Sequence, residues 1–311
     1  MANSGLNKIL ALSPYIELLV RRFYRDNVAL FSKFVKKGAV KSELKDFNKI
    51  ISSLKDLGIN NGSFVVMHSS YEAIQGTGKT PKKILEEFLN LVGESGTLAM
   101  NSARRYPEEA SYNDYLTADY TNVTVTYDVH KSRVWTGALP FFMLKHPNAH
   151  ISRFPINPMV AIGKHAKNMM EHNLDEDLGT ACGKSSSWNY CVENDAIIVG
   201  IGIDLTHSLT MIHVAEDVMD EKWPVKNWYR ERKFKIIDAE YEELKTVRER
   251  RPRWGALHFA ERTLCKDLIL AGILTSIEVD GVLVETIRAK ELICFLNSRN
   301  VNGYPYYFVK N

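Results

Sequence analysis

The sequence predicts an α/β fold in which a mixed central sheet carries helices on both faces. Short apolar runs at 63–67, 97–100, 159–163, 196–200 and 234–237 have the length and character of buried strands. Between several of them, apolar residues recur every three or four positions, the period of a helix packed along one face. The chain has 311 residues and is 45% hydrophobic, enough to bury a large core.

The first 45 residues differ from the rest. They hold nine Lys and Arg against three acids, while residues 46–311 hold 31 basic and 34 acidic residues. Ile16, Leu19, Val20, Phe23, Leu30, Phe31, Phe34 and Val35 follow an approximate helical stripe. This extension reads as an amphipathic helix packed on the body or in a homodimer contact, or as a basic helix on a membrane surface. From residue 46 the chain reads as one catalytic-type domain. A helix over 47–57 ends at Gly58, and a buried strand follows at 63–67. Thr80 can N-cap the next helix, Pro81 suits its first position, and Ile84, Leu85, Phe88, Leu89 and Val92 form its inner face. Gly93 and Gly96 end it before the strand at 97–100. Residues 101–135 show little periodicity and read as a long surface excursion. Near the end come a helix within 258–271, a short strand at 281–284 and a helix at 289–296.

Composition narrows the function. A net charge of +3 argues against a protein that coats nucleic acid, and the acids interleaved around 228–233 make that basic run a solvated face. The cysteines at 182, 191, 265 and 294 have no metal-ribbon or disulfide-ladder spacing, which suits a reducing cytoplasm. The most apolar N-terminal stretch, 9–20, is broken by Pro14 and Glu17, so neither an export signal nor a membrane span is expected.

Three motifs carry chemistry. Residues 73–80 resemble a relaxed Walker A loop, with Gly76, Thr77, Gly78, Lys79 and Thr80 at its end and Asp204 closing a Walker B-like run. That would make a P-loop nucleotide-binding enzyme, although Ala73 replaces the first glycine and five residues separate strand from loop. His68, Ser69 and Ser70 stand at the C-terminal end of the first strand, where open α/β sheets bind ligands, or else form a simple turn. Thr210, His213 and Glu216 follow a strand and turn. His213 and Glu216 are spaced i, i+3 and share a helix face, as a general base and its orienting carboxylate or as a plain surface pair. No second ligand pair accompanies them, so no metal is expected.

Taken together, residues 60–298 resemble the aminoglycoside 3-N-acetyltransferase family. The resemblance rests on Val-Val-Met-His68-Ser69-Ser70 through Gly96-Thr-Leu, on Tyr127-Asp128 and Thr136-Gly-Ala-Leu-Pro140, and on residues 155–163. Its most specific part is Gly200-Ile-Gly202 followed by Thr210-x-x-His213-x-x-Glu216, and 281–292 resembles the closing element. The family implies its own α/β fold and transfer of an acyl group from acetyl-CoA or another acyl-CoA to an amine of an amino sugar, without a metal. By residue, Ser69, Ser70 and the loop from Gly76 to Thr80 would hold coenzyme A. His213 would be the base, Glu216 its carboxylate and Thr210 a neighbour of the thioester. His68, at the end of the first strand, is expected as a further catalytic group. Asp128, Arg104 and Arg105 are expected to face the acceptor. The sequence departs from the family at Phe141, where Glu is usual, and in Phe154-Pro155-Ile156-Asn157-Pro158, which lacks the family's His and Ser. The turn before Thr210 is also about two residues longer. With its Arg and Lys clusters, the sequence points to an anionic or nucleotide-linked amino sugar rather than an aminoglycoside drug. A catalytically degenerate binding protein is the remaining alternative.

Overall fold

The computed structural model describes residues 5–27, 44–111 and 114–309. Its main sheet has seven strands in the order β4-β5-β2-β1-β6-β10-β9. β1 (Phe64–Ser69) runs parallel to both β2 (Thr97–Asn101) and β6 (Ile197–Ile201) at the centre. β5 (Met159–Gly163) and β10 (Val282–Arg288) flank them antiparallel, and β4 (His150–Ile151) and β9 (Thr275–Val279) form the edges. Because side chains alternate across a strand, Phe64 and Val66 face one apolar core while Val65 and Met67 face another. Helices cover both faces, as the apolar runs require.

The Pro81–Val92 helix forms as its sequence dictates. The Thr80 hydroxyl accepts from Lys83 N, and Ile84, Leu85, Phe88 and Val92 are buried, while Leu89 is only half-buried. Several strands depart from expectation. β10 runs on to Arg288, past the apolar run that ends at Val284, and its next residue, Glu285, is a fully buried carboxylate that hides the continuation. Glu285 accepts from Leu205 N at 2.7 Å and from the Ser276 hydroxyl at 2.8 Å. The 101–135 segment is a correction of a different kind, since it is not all surface. Within it β3 (Thr124–Asp128) pairs with β7 (Tyr229–Asp238), which forms a hairpin with β8 (Tyr241–Arg250). Tyr106, Val125, Tyr127, Phe234 and Val247 fill a third, smaller core under this sheet. Aromatic residues scattered along an irregular chain build it, so no helix or strand period shows it.

The basic extension packs on the body through its Pro14–Asp26 helix, but not by the expected stripe. Ile16, Leu19 and Val20 stay exposed, whereas Leu18 and Glu17 are buried. The anchor is polar: Glu17 accepts from Arg262 N at 2.8 Å and Thr263 N at 3.0 Å, and Arg22 donates to Leu257 O at 2.8 Å. Leu30, Phe31, Phe34 and Val35 lie outside the described residues. Among the described residues no helix is long and apolar enough to cross a membrane.

Candidate active site

The site is built where β6 ends. Gly202 has φ +67° and presses on the turn after β1, and a Cβ there would lie 2.4 Å from the Ala73 methyl. Only glycine meets both demands. Asp204 then caps the Leu205–Ser208 helix by accepting from Thr206 N at 3.1 Å. A 3₁₀ turn, Thr210–Ile212, delivers the chain to the short His213–Asp217 helix.

That helix places His213 beside Glu216 as the i, i+3 spacing predicts. His213 Nδ1 lies 2.9 Å from Glu216 Oε2, and Glu216 is buried. Two residues from distant parts of the chain complete a closed ring. The Tyr306 hydroxyl donates to Glu216 Oε1, and Arg250 donates to the Tyr306 oxygen at 3.1 Å and to His213 Nε2 at 3.1 Å. A guanidinium can only donate, so Nε2 is the accepting nitrogen and the imidazole proton sits on Nδ1, facing the carboxylate. Burial pushes the Tyr306 hydroxyl well above its ordinary range and keeps it a donor. Asp217, the next carboxylate, is raised by burial and by Glu216, and accepts from Tyr229 Oη at 2.8 Å and Cys182 N at 3.0 Å. Trp223, Trp228 and Phe259 pack around the Tyr306 ring and wall the network from one side.

Thr210 accepts from Asn101 Nδ2 at 3.2 Å, which ties the turn to the end of β2. His68 is buried on the neighbouring strand, two residues beyond the Val66–Ala99 register pair, as Asn101 is on β2. Its Nε2 has no hydrogen-bond partner among the described residues. Burial pulls its pKa down to about 4, so it is neutral at pH 7. In the unfolded chain it would titrate near its ordinary 6.5, so the fold loses stability as pH falls from 6.5 to 4. We expect His68→Gln to remove about 3 kcal/mol of that acid-dependent loss. Urea unfolding of both proteins at pH 7, 5.5 and 4 checks this, and identical slopes against pH would contradict it.

Other expected residues are placed differently. Arg104 is buried and donates to Val129 O at 3.0 Å and Ser132 O at 3.2 Å, so it holds a loop together and is withdrawn as an acceptor contact. Asp128 accepts from His130 N and Lys131 N and shapes the same turn, though with exposed Arg105 it also lines a cavity of about 470 Å³. The P-loop reading is overturned. The Tyr71–Ile74 helix separates β1 from the glycines, Thr77 and Thr80 cap local backbone, and Lys79 pairs with Glu87 at 2.8 Å. Asp204 is held by Arg262 at 2.6 Å. Among the described residues no cluster of His, Cys, Asp and Glu could hold a metal ion.

The chain matches known proteins along most of its length. The profile of the aminoglycoside 3-N-acetyltransferase family matches residues 66–298. Aminoglycoside N(3)-acetyltransferase III of Serratia marcescens is 27% identical over 250 residues, covering 78% of this chain and 84% of that protein. The crystal structure of aminoglycoside acetyltransferase AAC(3)-IIb has a TM-score of 0.65 at 21% identity, over 84% of this chain and 99% of its own. AAC-IIIb, in a binary structure with CoASH, has a TM-score of 0.67 at 19% identity, over 82% of this chain and 96% of its own. At these identities the two structures share the fold. The matched profile spans three quarters of the chain and includes the His213–Glu216 pair, so the chain belongs to the aminoglycoside 3-N-acetyltransferase family, the acyl-CoA-dependent N-acetyltransferases.

Proposed function

We propose that this protein transfers an acyl group, acetyl in the first instance, from coenzyme A to the amine of an amino sugar that carries a negative charge, with His213 as the general base. The observation that carries this reading is the oriented dyad, His213 Nδ1 at 2.9 Å from a buried Glu216, inside the family's most specific segment. Coenzyme A supplies the activated thioester. His213 Nε2 takes the proton that the amine must lose as it attacks, and Glu216 stabilises the imidazolium that results. The same proton is then available to the departing thiol. Attack is direct, since Cys182, Cys191 and Cys265 are buried and burial raises their thiols, which denies them a nucleophile's role.

The strand edge fits the thioester. The buried, unpartnered His68 Nε2 is a polar atom in want of a hydrogen bond, and a neutral imidazole there can donate to an acyl or pantetheine oxygen. Ser69 and Ser70 follow it directly. In the loop from Gly76 to Thr80, Gly78 has φ +71° and open space above it, which leaves room for a phosphate. Lys79, engaged by Glu87, is the weakest member of that set.

The acceptor's charge is read from a cavity of about 600 Å³ that reaches Tyr229, the partner of Asp217. Arg230, Lys233, Arg248 and Arg251 line it together with Asp119 and Glu231. Arg230 and Arg248 are engaged by Glu249 and Asp220, so Lys233 and Arg251 are the cations left to hold a phosphate or carboxylate on the sugar and to disfavour a polycationic drug. The test is a product screen by mass spectrometry, with acetyl-CoA and a panel of aminoglycosides, neutral amino sugars, sugar phosphates and nucleotide-linked amino sugars. The expected result is acetylation of the anionic members first. Fast turnover of kanamycin-type drugs with none on the anionic sugars would reject the acceptor reading. We place the reaction in a reducing cytoplasm, a reading supported by the four free cysteines.

A further inference from the structure

Arg250 sits against His213 on the side of the ring away from Glu216. Its guanidinium donates to His213 Nε2 at 3.1 Å, the one lone pair through which the imidazole can take a proton. It also donates to the Tyr306 oxygen at 3.1 Å. Both partners are neutral acceptors, and among the described residues no carboxylate lies within ion-pair distance of Arg250. Arg230, Arg248 and Arg262, by contrast, each have one. A largely buried guanidinium with no carboxylate in direct contact is an incomplete arrangement, since Glu216 and Asp217 act on it only through space and charge-assisted pairing is what normally offsets its desolvation. The surroundings leave it room. Gly255 lies beneath it, and a Cβ there would come within 3.2 Å of one of its terminal nitrogens. Across the hairpin its register partner is Tyr229, which borders the basic cavity.

We propose that Arg250 is a displaceable cap on the general base, lifted from His213 Nε2 by an anionic group of the acceptor. It is thereby a positioning residue that selects negatively charged amines. With the cap in place His213 is held in the correct tautomer but cannot accept a proton. When a phosphate or carboxylate draws the guanidinium toward itself, Nε2 is uncovered beside the amine of the same molecule. A neutral amine must displace the cap without compensation, and a cationic one must do so against repulsion. This rests on the reading of His213 as base and of the acceptor as anionic, and the test separates the two.

Steady-state kinetics with acetyl-CoA would compare glucosamine with glucosamine 6-phosphate, which differ by one anion, in wild type, Arg250→Gln and Arg250→Lys. In wild type the phosphorylated sugar is expected to lead by at least about tenfold in kcat/KM, a factor within reach of one charge-assisted hydrogen bond. Arg250→Gln should bring that ratio close to one, losing on the phosphorylated sugar and gaining in kcat on the neutral one, while Arg250→Lys keeps the preference. A merely structural role would lower both substrates in proportion, and that result, or an unchanged ratio in Arg250→Gln, would overturn the proposal. Should wild type acetylate neither sugar, the acceptor reading has failed and the cap is read directly. Diethyl pyrocarbonate modifies unprotonated imidazole, and peptide mass spectrometry reports the rate at His213. Modification about tenfold faster in Arg250→Gln than in wild type supports the cap, and equal rates overturn it.

Discussion

His213→Ala is expected to lower kcat for thiol release from acetyl-CoA by about 10²–10⁴-fold, the usual contribution of a positioned general base. KM for the thioester should change little, because the residues expected to hold coenzyme A belong to the turns after β1. Thermal unfolding should move only modestly, since His213 is partly exposed and its ring is not part of the apolar cores. Glu216→Gln gives a sharper version. An amide can accept through its one oxygen but presents an NH₂ where the second carboxylate oxygen stood, so either Tyr306 or His213 Nδ1 meets a donor instead of an acceptor. That variant should fall between wild type and His213→Ala. Activity near wild type in both would remove the dyad from the mechanism.

The largest stability effect is expected from Arg262→Met. Arg262 is buried and bonds Asp204 at 2.6 Å and the Thr206 hydroxyl at 2.9 Å, and it also pairs with Glu261. Removing the cation leaves two largely buried carboxylates short of their counter-charge, a loss of about 3–5 kcal/mol. Glu261, although buried, is held down to about 2 by His207, Arg262 and Arg21. Its share of stability is therefore full above pH 4.5 and disappears as pH falls toward 2. Urea titrations at pH 7 and pH 3 measure both effects. The variant should be much less stable than wild type at pH 7, and the gap should narrow at pH 3. A change below 1 kcal/mol at pH 7 would show that the network is relaxed by water.

What the sequence made legible was whatever depends on local periodicity or on adjacent residues. The strand at the centre of the sheet, the Thr80–Pro81 start of a helix and the His213–Glu216 pair are all contained within a few positions. Partners brought from afar were not legible. Tyr306 is 90 residues from Glu216 and Arg250 is 37 from His213, and neither sits in a pattern that marks it. The basic segment 248–253 was visible as charge alone, with nothing to say that Arg250 turns inward while Arg248 pairs with Asp220. Arg104 misled for the opposite reason: a cation in an irregular stretch looks like a ligand contact until its donors are seen capping backbone carbonyls. Glu285 shortened a predicted strand because a buried carboxylate reads as surface.

The Glu17 carboxylate has a consequence for how the chain is made. The Glu261–Leu270 helix has Ala260 at its N-cap, which offers no side-chain oxygen, and its second and third N–H groups are satisfied by Glu17, 245 and 246 positions upstream. Ribosomes deliver about 5–20 residues per second. The Pro14–Asp26 helix therefore emerges well before the helix end it caps, with its buried polar face still without a partner. Tyr15 likewise meets Tyr307 and Phe308 only after the intervening domain has been made. A helix made early is thus locked late, by partners that lie far along the chain.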